Sequence, residues 1–196
     1  MKPYNGYAAE PTKTSLPPLP AGGYVAKIIK AETASNDYGE RLIIYFDITE
    51  GEHKGHFNEN YAAQTNEDKK WKGAYRLSVP KDDGSEKDEW SKRSFNNFMW
   101  SVEDSNPGYH WDWNEAGLKG KTVGVLFRNK EWEMNGNTGW TTECCSTTSV
   151  DNIRNGKFKM PKDKPLANKS ASSVGYEVAP PLDDDDCPFY HAPAGC

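Results

Sequence analysis

Apolar and polar positions alternate most cleanly from Arg41 to Thr49, where Leu42, Ile44, Phe46 and Ile48 lie on one side and Arg41, Ile43, Tyr45 and Asp47 on the other. Period two over this length predicts a strand with one face in a core. Tyr24 to Glu32 reads as the strand before it, joined through a turn at Asn36-Asp37-Tyr38-Gly39. A third strand is expected from His53 to Tyr61, with Phe57 and Tyr61 at one parity, and Tyr75 to Val79 is read as a possible extension or cap of the sheet. The period then lengthens. From Ser85 to Asp104 the stripe Trp90, Phe95, Phe98, Met99 and Val102 predicts a helix, which Asn106-Pro107-Gly108 ends. Strand four is expected from Lys121 to Glu133, with Val123, Val125 and Phe127 facing one way, and strand five from Trp140 to Val150 after a turn over Asn135 to Gly139.

Three strands, a helix and two strands are the element order of the five-stranded OB barrel, so the fold class expected is mainly β: an OB-like barrel with one helix between strands three and four. The flanks differ in composition. Residues 1–19 are proline-rich and read as an extended arm, 20–163 as the domain, 164–182 as a flexible linker and 183–196 as an acidic tip.

Charge sharpens this division. The chain of 196 residues has 24 basic and 29 acidic residues, but one lysine and five acids lie beyond residue 165, leaving 23 and 24 in the rest. The expected domain is therefore nearly neutral, and a neutral domain can bind a polyanion if its cations share a face and aromatic stacking adds to them. No stretch approaches the ~20 apolar residues of a membrane span, and the N-terminus lacks a signal-like pattern, so a cytoplasmic protein is expected. Cys144, Cys145, Cys187 and Cys196 have no metal-site spacing, and His53, His56, His110 and His191 are scattered. No metal, cofactor or catalytic constellation is expected, and the chain reads as a non-enzyme.

Candidate binding chemistry concentrates in three places. Lys69-Lys70-Trp71-Lys72-Gly73-Ala74-Tyr75-Arg76 is the densest interleaving of cations and rings in the chain. Arg41 and Tyr45 on strand two, with Phe57 and Tyr61 on the expected third strand, could add stacking surface on an open sheet face. Arg128, Lys130 and Trp132 share a parity beside the final hairpin, where Trp132 and Trp140 could equally form a cross-strand staple. Each of these rings has core or surface packing as its plain alternative, and Trp71 could cap the barrel.

The C-terminal stretch carries a different chemistry. Asp183, Asp184, Asp185 and Asp186 repel one another and keep the segment extended, while Pro188 restricts the backbone before Phe189. This run resembles the tip of bacterial single-stranded DNA-binding proteins, which partner enzymes recognise, although here Tyr190 to Cys196 follows the phenylalanine. Leu19-Pro20-Ala21-Gly22-Gly23-Tyr24-Val25, Asp47 to Gly51, Ser105 to Tyr109, Leu118 to Lys121 and Ser149 to Gly156 also resemble phage-encoded single-stranded DNA-binding proteins of Gram-positive bacteria. The resemblance implies coating of single-stranded DNA during replication or recombination, with little sequence preference. It also implies recruitment of host or phage replication and recombination proteins by the acidic tip and, by analogy, a homo-oligomer. Two alternatives stay open: a protein-interaction module that redirects host factors without binding DNA, and a metal-dependent enzyme.

Overall fold

The structure, a computed structural model, describes residues 16–36, 39–65 and 67–166. Its sheet is antiparallel and five-stranded: β1 (Gly22–Asn36), β2 (Gly39–Ile48), β3 (Ala74–Ser78), β4 (Thr122–Met134) and β5 (Asn137–Thr148). Their order is β3-β2-β1-β4-β5, so β1 is central and β3 and β5 are the two edges. β1 pairs with β4 over Gly22 to Lys27 and with β2 from Ala26 to Asn36, and its bulge at Ile29 lies where it passes from one half of the sheet to the other. A bulge at that position increases twist, which curls the halves toward each other. The sheet is barrel-like but not closed. The edges β3 and β5 approach across an open seam.

The alternation in β2 has the expected outcome: Leu42, Ile44, Phe46 and Ile48 are buried together with Val123, Val125 and Phe127 of β4. β4 is also buried on its second face. There Gly124 meets α3 (Val150–Arg154) so closely that a Cβ would sit 2.6 Å from Ile153, and one on Gly23 would sit 2.6 Å from Phe158. The long helix α2 (Glu86–Ser105) starts at Ser85, whose side chain accepts from Asp88 N, and packs Phe95, Phe98, Met99 and Val102 onto the core. Asn97 Nδ2 donates to Thr147 O at 2.9 Å, and Asn106 clasps Thr122 by accepting from its N at 3.0 Å and donating to its O at 2.8 Å. These bonds tie both the body and the end of α2 to the sheet.

Two expected elements differ. Residues 53–61 are no strand: α1 (His56–Ala63) occupies this stretch, and the third strand is the segment from Ala74 to Ser78. Asp47, at the end of β2, explains the helix, because its Oδ1 accepts from Phe57 N at 3.0 Å and its Oδ2 from Asn58 N at 3.3 Å. Those are the amide groups that a helix start leaves without partners. The final hairpin also turns earlier than expected. Met134 pairs with Asn137 around Asn135 and Gly136, whose φ values of 52° and 78° suit a tight two-residue turn.

The ends of the described chain are bound to the body. Leu19, within the stretch read as an arm, is 2% exposed and joins the core, and its carbonyl accepts from Thr142 Oγ1. At the other end Lys164 bonds to both sides of Lys130 on β4: its N donates to Asn129 O and its O accepts from Glu131 N. Among the described residues no helix is long and apolar enough to cross a membrane.

Candidate nucleic-acid interface

The seam between the two edge strands opens into a groove of about 990 Å³. Residues 74–78 of β3 line one bank and 141–145 of β5 the other; such consecutive runs show that the groove meets strand edges rather than a single sheet face. Its cations are Arg41, Lys72, Arg76, Arg128 and Lys130, whereas Glu143 is the single carboxylate among the lining residues. Indole surface is added by Trp90, Trp132 and Trp140, which are 45%, 38% and 52% exposed. A chain with a net charge of −5 therefore presents a basic, aromatic groove.

The two hairpin tryptophans do not pair with each other. Trp132 lies opposite Gly139 and Trp140 opposite Glu131, so the rings project from opposite faces of the β4–β5 arm, and both border the groove. One face of Trp132 rests on Gly139, where an added Cβ would come within 2.8 Å of the ring. The ring is thus fixed without being covered. A platform of this kind loses little freedom when a base stacks on it.

Arg128 and Lys130 converge on Glu143. Arg128 donates from Nε and Nη2 to Glu143 Oε1 at 3.1 and 3.0 Å, and Lys130 Nζ donates to Oε2 at 2.8 Å. Burial pushes the Glu143 carboxyl up, but the hydrogen bonds from Lys130 and Arg128 outweigh it and hold the group below its ordinary range. Nearby, burial pushes the Cys145 thiol up to about 11 and that of Cys144 well above its usual value, so neither is a ready nucleophile.

The structure divides the expected site residues. Arg41, Lys72, Tyr75, Arg76, Arg128, Lys130 and Trp132 come together along the groove. Phe57 also borders it, but as buried core at its floor, 4% exposed and facing Phe46 and Phe127. Tyr45 is elsewhere, with its hydroxyl donating to Glu32 Oε1 at 2.8 Å and Lys30 over its ring.

The basic loop forms a separate stack. Lys69 lies over Tyr61, whose ring is 5.8 Å from that of Trp71, and Trp71 Nε1 donates to both Phe46 O and Gly73 O at 3.1 Å. Trp71 packs against the core as a cap. Gln64 brackets Lys70, accepting from its N and donating to its O, both at 2.8 Å, which fixes the loop path while leaving Lys70 exposed. Asp183 to Asp186, Pro188 and Phe189 lie outside the described residues.

Trp90, Trp140 and Glu143 join the groove without having been singled out as site residues. Trp90 precedes Phe95 by five positions, an offset of about 140° on a helix, so it does not share the buried stripe. That angle was available in the sequence. The His53 and His56 rings are 6.2 Å apart, and among the described residues no group of three potential metal ligands converges. No protein-family model matches this sequence, and no curated protein matches it.

Proposed function

We propose that this chain is a single-stranded DNA-binding protein whose curled sheet is an OB-like barrel open at the β3–β5 seam, and that the strand runs along that seam. The observation that carries this reading is the groove, with five cations, one carboxylate and three exposed indoles on a chain of net negative charge. Cations there follow phosphates and rings stack on bases of any identity, which gives affinity with little sequence preference. On this reading the protein coats single strands during DNA replication or recombination, and Asp183 to Phe189 recruits partner enzymes.

The direct test is titration with oligodeoxythymidylate while tryptophan fluorescence is recorded. Saturable quenching that weakens as salt rises is expected; an unchanged signal, with no binding by a second method such as anisotropy of a labelled strand, would overturn the reading.

The acidic tail provides a second test. Lys164 runs beside Lys130, and Leu166, the last described residue, bonds Glu131 on the arm that carries two of the groove cations, Arg128 and Lys130. Four clustered aspartates tethered there compete with phosphates for those cations. A chain ending after Leu166, which keeps the Lys164 bonds, is expected to bind the oligonucleotide several-fold more tightly than the full chain at low salt, and the difference should vanish at high salt. Equal affinity at all salt concentrations would remove the tail from the groove.

One observation favours the reading of a protein-interaction module: both banks of the groove are edge strands, to which an extended peptide can add. That module predicts no oligonucleotide binding, and loss of function on removal of residues 183–196 alone.

A further inference from the structure

Two cations of the groove do not face it empty-handed. Arg128 and Lys130 stand two residues apart on one face of β4, and Glu143, opposite Arg128 in the β4–β5 register, places one oxygen on each of them. The cluster is partly open to solvent, with side-chain exposures of 16% for Arg128, 42% for Lys130 and 28% for Glu143. The Lys130–Glu143 pair, open at the ammonium, adds little to stability, whereas the Arg128–Glu143 pair is the more enclosed of the two. Two acids beside the cluster are engaged elsewhere: Glu131 accepts from Leu166 N, and Asp163 from Asn129 Nδ2.

We propose that Arg128 and Lys130 form a backbone-phosphate subsite of the groove, and that Glu143 is a resident anion which the phosphate displaces. This inference rests on the reading of the groove as a site for single-stranded DNA. The chemistry of the exchange is symmetrical. A phosphodiester carries one negative charge and two non-bridging oxygens, as the carboxylate does, so it can take the guanidinium donors on one oxygen and the ammonium on the other. Glu143 hangs from an edge strand and can turn away without disturbing the ladder.

The exchange has two consequences. In the free protein the carboxylate holds both cations in place, and it leaves the cluster with a single net positive charge. On binding, the displaced carboxylate stays close to the phosphates and opposes them, so Glu143 sets an upper limit on affinity and keeps the strand exchangeable. A coating protein that must later be removed from DNA gains from such a limit.

The test compares the full-length protein with its Glu143→Gln variant, using fluorescently labelled oligodeoxythymidylate over a range of salt concentrations. Glutamine keeps the shape and one acceptor but removes the charge. The variant is expected to bind about fivefold or more tightly at low salt, with a slope of log affinity against log salt steeper by up to about 0.7, the value of one further phosphate contact on a single strand. Wild-type binding with unchanged or weaker binding by the variant, its fold verified by circular dichroism, overturns the subsite but leaves the DNA-binding reading intact. Absence of binding by the wild-type protein overturns both.

A measurement on the wild-type protein guards against a variant that fails to fold. The Arg128 Nε–H resonance, now bonded to Glu143, should move on saturation with the oligonucleotide as its acceptor changes from carboxylate to phosphate. A resonance that stays in place at saturation overturns the exchange.

Discussion

Replacing Phe57 with alanine lowers the stability of the fold by about 3–5 kcal/mol, the range for a large aromatic removed from a core. The ring sits edge-on to Phe46 at 5.7 Å and stacked with Phe127 at 6.1 Å, so it joins α1 to both β2 and β4. Gly73 shows how little room surrounds it, since an added Cβ would lie 2.6 Å from the Phe57 ring and 2.4 Å from Phe46 O. The eight residues of α1 make only about two turns, too few to persist without tertiary support. Loss of the ring leaves a cavity and frees α1, with Asp47 alone holding its first amides. Urea unfolding followed by circular dichroism should show the midpoint fall. A tenfold loss of oligonucleotide affinity with an unchanged midpoint would instead place Phe57 in the binding surface.

Phe57 also shows where the sequence was ambiguous. Phe57 and Tyr61 are four residues apart, a spacing that puts them on one face of a strand and on one face of a helix alike. The deciding group is Asp47, ten residues away, whose carboxylate receives the amides that start α1. Nothing local to residues 56–63 records that bond. β2 posed no such problem, because its alternation is long and its inner face is wholly apolar. The helix from Glu86 was equally legible, with a serine cap and a four-residue apolar stripe, although Trp90 fell outside the stripe.

The composition of the groove was legible and its assembly was not. The cations and rings of residues 69–76 and 128–132 stand out in the sequence. Which of them meet depends on the seam, and the seam depends on β3 being the edge strand beside β2. The basic loop consequently divides: Lys72, Tyr75 and Arg76 line the groove, while Lys69 and Trp71 join Tyr61 outside it. Glu143 was recoverable from turn chemistry. With Asn135 and Gly136 as the turn, counting back from the Met134–Asn137 pair sets Arg128 opposite Glu143, whereas a longer loop over Asn135 to Gly139 hides that pairing.

Replacing both Trp132 and Trp140 with alanine should weaken oligonucleotide binding by about 30-fold to 10⁴-fold, if each ring contributes about 1–3 kcal/mol of stacking. Neither ring belongs to the core cluster, so the thermal midpoint should move far less than in the Phe57 variant. The salt dependence should hardly change, because stacking releases no counterions while every phosphate contact from Arg128 and Lys130 remains. This combination separates rings from cations: charge-removing variants at Lys72, Arg76 or Lys130 flatten the salt slope, whereas the double tryptophan variant lowers affinity at every salt concentration alike. Trp113 supplies the control, since it is the most exposed tryptophan, at 75%, yet packs parallel to Phe95 and does not border the groove. Exposure alone would make Trp113→Ala the more damaging change; a site at the β3–β5 seam makes it silent. Should Trp113→Ala weaken binding while the hairpin pair proves dispensable, the strand follows another path across the protein and the seam is not its site.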